Sequence, residues 1–133
     1  MKSKGFIVII LIITIVLIAG CSAKEKTPVS SYENITTEKA KEMMDNNTDI
    51  IILDVRTEEE YNEGHIQGAI LIPDYEIVEK VQDTLTDKTA TILVYCRTGR
   101  RSELAANSLT ELGYSKVYDF GGINDWKYEI VTE

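Results

Sequence analysis

Ile92-Leu93-Val94-Tyr95-Cys96-Arg97-Thr98-Gly99-Arg100-Arg101-Ser102 is the stretch around which the rest of the chain is arranged. Its first four residues form an apolar run that reads as a buried parallel strand. Glu103-Leu104-Ala105-Ala106-Asn107-Ser108-Leu109-Thr110-Glu111-Leu112 follows and reads as an amphipathic helix. Cys96 therefore falls in a tight turn between the C-terminal end of a strand and the N-terminal end of a helix, where open α/β sheets place their ligands. Backbone N–H groups of such a turn converge on one point and bind anions. Here the anion would be the thiolate of Cys96 itself. Three arginines in the same turn, Arg97, Arg100 and Arg101, add positive charge that favours the thiolate. Gly99 supplies the backbone freedom for a close wrap.

The segment from Cys96 to Ser102 resembles the active-site loop of rhodanese-like sulfurtransferases, whose pattern is Cys-Arg-x-Gly-x-Arg-Ser. The spacing separates it from the loop of cysteine phosphatases, which have arginine six residues after the cysteine. That position is Ser102 here, and Arg101 stands one step earlier. The smaller ring suits a single sulfur atom. The resemblance continues upstream through Asp54-Val55-Arg56, Glu60-Tyr61, Gly64-His65-Ile66-Gln67-Gly68-Ala69 and Ile72-Pro73, and downstream through Gly121-Gly122 and Trp126. Leu71 departs from it, since the family often has asparagine there.

The first twenty residues have a different character. Lys2 and Lys4 give a basic start, Phe6 to Ala19 is apolar apart from Thr14, and Ile18-Ala19-Gly20-Cys21 ends the stretch. This is a signal-peptide arrangement, too short for the ~20 residues of a spanning helix. Its ending resembles the bacterial lipobox, which implies acyl chains such as palmitate on Cys21. The expected organisation is a lipoprotein signal peptide over residues 1–20, a lipidated Cys21 with a flexible tether to residue 31, and one domain over residues 32–133. The expected location is the extracytoplasmic face of the cell membrane. An uncleaved N-terminal anchor is the other reading of the same stretch, and it too places the domain outside the cytoplasm. The two cysteines are Cys21 and Cys96, so lipidation of the first leaves the second without a disulfide partner. A free thiol in an oxidising compartment is a liability unless it is used.

The formal net charge is −8. Of the 14 basic residues only Lys2 and Lys4 precede Cys21, so beyond the signal segment 22 acidic residues face 12 basic ones. Such a surface excludes nucleic acid and anionic lipid as primary partners. It leaves the three arginines as a positive pocket that attracts a small anion.

Beyond the tether, strands and helices alternate. Tyr32–Ile35 reads as a short edge strand, and Thr36 as the N-cap of a helix over residues 37–45 with Ala40, Met43 and Met44 inward. Ile50–Leu53 reads as a buried strand, Thr57-Glu58-Glu59-Glu60 as a capping box, and Gly64 as a left-handed helix stop. A strand over 69–72 ends at Pro73. Asp74 then caps a helix through Leu85 with Ile77, Val78, Val81 and Leu85 inward. Gly113 closes the helix after Cys96, and a last strand over 117–120 is broken by Gly121-Gly122 before a helical turn around Trp126. The pattern predicts an α/β fold with a mostly parallel central sheet of four to five strands and helices on both faces. Nothing points to a dimer surface, so a monomer is expected.

The resemblance implies sulfur transfer through a persulfide on Cys96, from a small anionic donor such as thiosulfate to a thiol or cyanide acceptor, without a cofactor. Arg97, Thr98, Gly99, Arg100, Arg101 and Ser102 would hold the donor, with Arg101 and Arg97 ahead of Arg100. Asp54 and Arg56 would support the site. Asp54 more naturally satisfies nearby N–H groups, and Arg56 either extends the anion site or pairs with Glu58, Glu59 or Glu60. His65 is the single histidine, in a segment distant from Cys96 and without a Cys–His pairing. One histidine and one unmodified cysteine build no zinc site. Trp126 reads as a core or rim residue over the pocket. Two other functions compete: a catalytically minor binding module at the cell envelope, and a small-anion reductase or phosphatase, such as one acting on arsenate.

Overall fold

The computed structural model describes residues 31–132, so the signal segment, Cys21 and the tether up to residue 30 lie outside the described residues. Five strands, β1 (Glu33–Asn34), β2 (Ile51–Asp54), β3 (Ile70–Leu71), β4 (Thr91–Cys96) and β5 (Lys116–Gly122), form one sheet in the order β1-β5-β4-β2-β3. Every pairing is parallel. The helices are α1 (Thr37–Asn46), α2 (Glu58–Glu63), α3 (Ile77–Thr84) and α4 (Arg100–Glu111).

The alternation of side chains along β4 explains why both faces of the sheet are covered. Ile92, Val94 and Cys96 join one buried cluster with Ile77 and Val81 of α3 and Ala105, Ala106 and Leu109 of α4. Leu93 and Tyr95 point the other way, into a cluster with Ala40 of α1, Ile66 and Phe120, flanked by Tyr61 of α2. A strand with apolar residues on both faces belongs in the middle of such a sheet, and β4 lies at the centre of the order. Its C-terminal residue, Cys96, is thereby fixed against the core on the α3 and α4 side.

Local chemistry sets the helix ends. The Thr36 hydroxyl accepts the Lys39 N–H at 3.1 Å. The capping box at α2 is complete: Glu60 N–H donates to Thr57 Oγ1 at 3.2 Å, and Thr57 N–H donates to Glu60 Oε2 at 3.0 Å. Gly113, at φ 94°, follows α4.

Four details differ from the sequence reading. Gly64 ends α2 in a nearly extended conformation, at φ 159° and ψ 135°, rather than a left-handed one. Asp74 starts a 3₁₀ turn, Asp74–Glu76, and α3 begins only at Ile77 with no side-chain cap. Val78 is 62% exposed, because the row facing the sheet is Ile77, Val81 and Leu85 at i, i+4 and i+8, and Val78 lies one residue round the helix. The last strand runs through Gly121 and Gly122 instead of stopping at Phe120. These glycines do not break β5; they let its end pass close to the Cys96 turn.

Candidate active site

Cys96 is the last residue of β4 and lies beside Gly122 of β5, after a register irregularity between Val94 and Cys96. The chain then turns through Arg97, Thr98 and Gly99 into α4. Gly99 takes φ 110°, a left-handed value that a side chain disfavours, and its N–H reaches back to Cys96 Sγ at 3.0 Å. Among the described residues Gly99 N–H is the backbone donor bonded to the sulfur, where the sequence predicts several. The Cys96 thiol is 1% exposed and stands 3.6 Å from Ser102 Oγ. Ser102, buried in the first turn of α4, donates in turn to Gly99 O at 3.0 Å, so the hydroxyl braces the turn that carries the sulfur.

The other wall of the turn is β5. A Cβ on Gly122 would fall 2.2 Å from Arg97 O and 2.7 Å from Thr98 Cα, so this position accepts only hydrogen. Beyond it, Asn124 N–H donates to Arg97 O at 3.2 Å. Asp119, one turn of pleat earlier, is buried and accepts the Gly121 N–H at 2.9 Å. Burial pushes its carboxyl up from the ordinary range, against the pull of the Gly121 N–H and the Ser102 hydroxyl.

The arginines divide into three environments. Arg101 makes a two-pronged pair with Glu60 of α2, NH1 to Oε2 at 2.7 Å and NH2 to Oε1 at 2.8 Å. This pairing holds the Glu60 carboxyl down to about 2 and raises the Arg101 guanidinium, with Cys96 and Asp74 adding smaller pulls on the arginine. Arg97 is 58% exposed and stands 3.7 Å from Glu60 Oε1. Arg100 and Thr98 are exposed. Arg56 is buried, doubly bonded to Asp54 (Nη2 to Oδ2 at 2.7 Å), donates to Gly64 O at 2.8 Å, and lines the same cleft as Arg97 and Glu60. It pairs with none of Glu58, Glu59 and Glu60, because Asp54 at the end of β2 lies within its reach and is equally buried. The Asp54–Arg56 unit thus ties β2 to the end of α2 through Arg56 Nε and Nη2.

His65 stacks on Tyr61 at 3.7 Å, its Nδ1 lies 2.9 Å from Tyr61 O, and its backbone bridges to Val131. Trp126 lines a cavity of about 630 Å³ with Lys41, Met44, Ile52 and Ile66, which does not include the Cys96 turn. A smaller cleft, about 230 Å³, does border the turn, with Arg97, Glu60, Glu63, Asn124 and Ile123 among its walls. The sequence presents Glu60 as a capping residue, a partner for Arg56 and part of the family resemblance, and Gly122 as a strand break within that resemblance, but neither as a neighbour of the Cys96 turn. The conflict between an acidic residue and a loop of three arginines was the available signal for the first.

A model of the rhodanese-like domain matches residues 36–129 of the chain. The chain belongs to the rhodanese-like family. Among curated relatives it is 44% identical over 73 residues to the thiosulfate sulfurtransferase PspE of Escherichia coli K12, covering 55% of this chain and 70% of that one. To the thiosulfate sulfurtransferase GlpE of Coxiella burnetii it is 35% identical over 97 residues, covering 72% and 88%. Solved members of the family superpose on it. A rhodanese from E. coli, solved with anions, aligns with TM-score 0.60 and 39% identity over 63% of this chain and 99% of that one. A rhodanese-related protein from Thermoplasma volcanium aligns with TM-score 0.68 and 32% identity over 77% and 100%. The five-stranded parallel sheet with its four helices is the rhodanese fold, and the relatives support a sulfurtransferase role.

Proposed function

We propose that this protein moves a sulfane sulfur from an anionic donor such as thiosulfate to a thiol or cyanide acceptor through a persulfide on Cys96. The observation that carries this reading is the setting of Cys96 Sγ: at a strand end, 3.0 Å from the Gly99 N–H, at the start of a helix whose first residues are Arg100 and Arg101. In the first step the Cys96 thiolate attacks the outer sulfur of thiosulfate. A new S–S bond forms at Cys96, the donor's own S–S bond breaks, and its electron pair leaves on sulfite. Arg97 and the loop N–H groups offset the donor's negative charge and that of the departing sulfite. In the second step an acceptor nucleophile takes the terminal sulfur and returns the thiolate.

The test is to incubate the protein with thiosulfate, remove the excess and weigh the Cys96 peptide. A gain of one sulfur atom, discharged by cyanide as thiocyanate and absent in Cys96→Ser, is expected. An unmodified Cys96 in a folded protein would put a binding module in its place, and a trapped phospho- or arseno-cysteine would point to a phosphatase or reductase.

The lipobox resemblance at Ile18-Ala19-Gly20-Cys21 supports a second part of the reading, a protein held at the extracytoplasmic face of the membrane by acyl chains on Cys21. Metabolic labelling with a fatty-acid probe should mark the protein and fail on Cys21→Ser. Equal labelling of both would remove the anchor.

A further inference from the structure

Glu60 is an acidic residue at the edge of a site built to receive anions. Four donors fix its carboxylate: Arg101 NH1 at 2.7 Å and NH2 at 2.8 Å, Thr57 N–H at 3.0 Å and Thr57 Oγ1 at 3.2 Å. Its Oε1 is also 3.7 Å from Arg97 NH1. Two of the three loop arginines therefore share one carboxylate, and that carboxylate walls the cleft beside the Cys96 turn. A donor whose anionic end approaches Arg97 and Arg101 meets a negative charge that is already bound and held by the helix cap. It must share the guanidinium with Glu60 or do without it.

We propose that Glu60 is a specificity-determining residue that selects sulfur donors by charge, favouring singly charged sulfane donors over doubly charged ones. The inference rests on the sulfurtransferase reading above and narrows its donor class. The repulsion between a fixed carboxylate and an incoming anion is proportional to the anion's charge, so a dianion is penalised about twice as much as a monoanion in the same place. Thiosulfate and an alkanethiosulfonate make the comparison, since both present a terminal sulfane sulfur to the thiolate. With thiosulfate, thiolate and dianion become persulfide anion and sulfite dianion. With an alkanethiosulfonate, thiolate and monoanion become persulfide anion and alkanesulfinate. In both, the S–S bond of the donor breaks with its electron pair on the leaving group.

The test measures kcat/KM for both donors, with cyanide as acceptor at low salt, in the full chain and in Glu60→Gln, Glu60→Asp and Glu59→Gln. In Glu60→Gln the ratio of thiosulfate to alkanethiosulfonate should rise about tenfold, as a fixed charge within a few ångströms is removed. Glu60→Asp keeps the charge and should hold the wild-type ratio even if both rates fall. Glu59 is exposed on the same helix, so Glu59→Gln makes the same change in net charge and should move the ratio less than about twofold. An unchanged ratio in Glu60→Gln, or equal shifts in Glu60→Gln and Glu60→Asp, would overturn the proposal. A separate arm does not depend on turnover: protection of Cys96 from iodoacetamide by sulfate, a dianion that transfers no sulfur, read on the Cys96 peptide. Sulfate should protect at lower concentration in Glu60→Gln than in the wild type, and equal protection would also overturn the proposal. If the wild type transfers sulfur from neither donor, the sulfurtransferase reading falls, and the sulfate arm still decides whether Glu60 repels dianions.

Discussion

Gly122 shows how narrow the tolerance around the reactive sulfur is. Its missing Cβ would collide with backbone atoms of Arg97 and Thr98, which cannot rotate away as a side-chain end can. Gly122→Ala is therefore expected to push the Cys96 turn off β5, costing about 1–3 kcal/mol as overpacking does elsewhere and reducing sulfur loading on Cys96 more than any loss of fold explains. Gly68→Ala is the matched comparison. Gly68 has φ 79° but open space around it, so only the backbone strain of roughly 1–2 kcal/mol applies there. Urea unfolding and persulfide formation measured on both variants separate the two effects. A Gly122→Ala protein with wild-type loading would show that the close approach is not needed. Ser102 belongs to the same scale. Its hydroxyl, bonded to Gly99 O and 3.6 Å from the sulfur, holds the turn from the inside.

At the scale of elements, the short helix α2 matters beyond its length of six residues. Its capping box fixes Glu60, and Glu60 fixes Arg101. Thr57→Ala removes both the acceptor for Glu60 N–H and the hydroxyl that donates to Glu60 Oε2. The expected loss is about 1 kcal/mol of stability, recovered by Thr57→Ser. A Thr57→Ala protein as stable as wild type in urea would mean the cap contributes nothing. The capping box, β4 and α4 were legible in the chain because each is written in adjacent residues: an apolar run, a Thr-x-x-Glu spacing, a glycine where the turn is tight. What was not legible depends on distance along the chain. Glu60 and Arg101 are 41 residues apart, and only the packing of α2 against the Cys96 turn brings them together. Arg56 has three nearby glutamates as candidate partners, yet its partner is Asp54, which stands buried beside it at the end of β2. Val78 looked like a core residue because valine next to Ile77 satisfies composition; the helix angle excludes it.

For the whole molecule, the Glu60–Arg101 pair links the site to acid stability. The Glu60 carboxyl titrates near 2 when folded, against an ordinary 4.5. A depressed carboxyl adds stability that is fully present above about pH 4.5 and is lost as the pH falls toward 2. At about 1.4 kcal/mol per pKa unit the contribution is at most about 3.5 kcal/mol. Unfolding free energy should therefore fall between pH 5 and pH 2.5, and fall less steeply in Arg101→Ala, where Glu60 has lost its partner. Parallel slopes for the two proteins in urea titrations at pH 5, 4 and 3 would show that the pair does not couple folding to pH.

The parallel sheet also gives the molecule a direction. β1 runs alongside β5 in the same sense but starts part-way along it, with Glu33 level with Tyr118 and, across β5, with Leu93. Cys96 lies three residues further along β4 than Leu93, roughly 10 Å at 3.3 Å per residue. Every strand ends toward the side that carries Cys96, so the loops after β2, β4 and β5 open on one side of the molecule, and a small ion arriving there meets all of them at once.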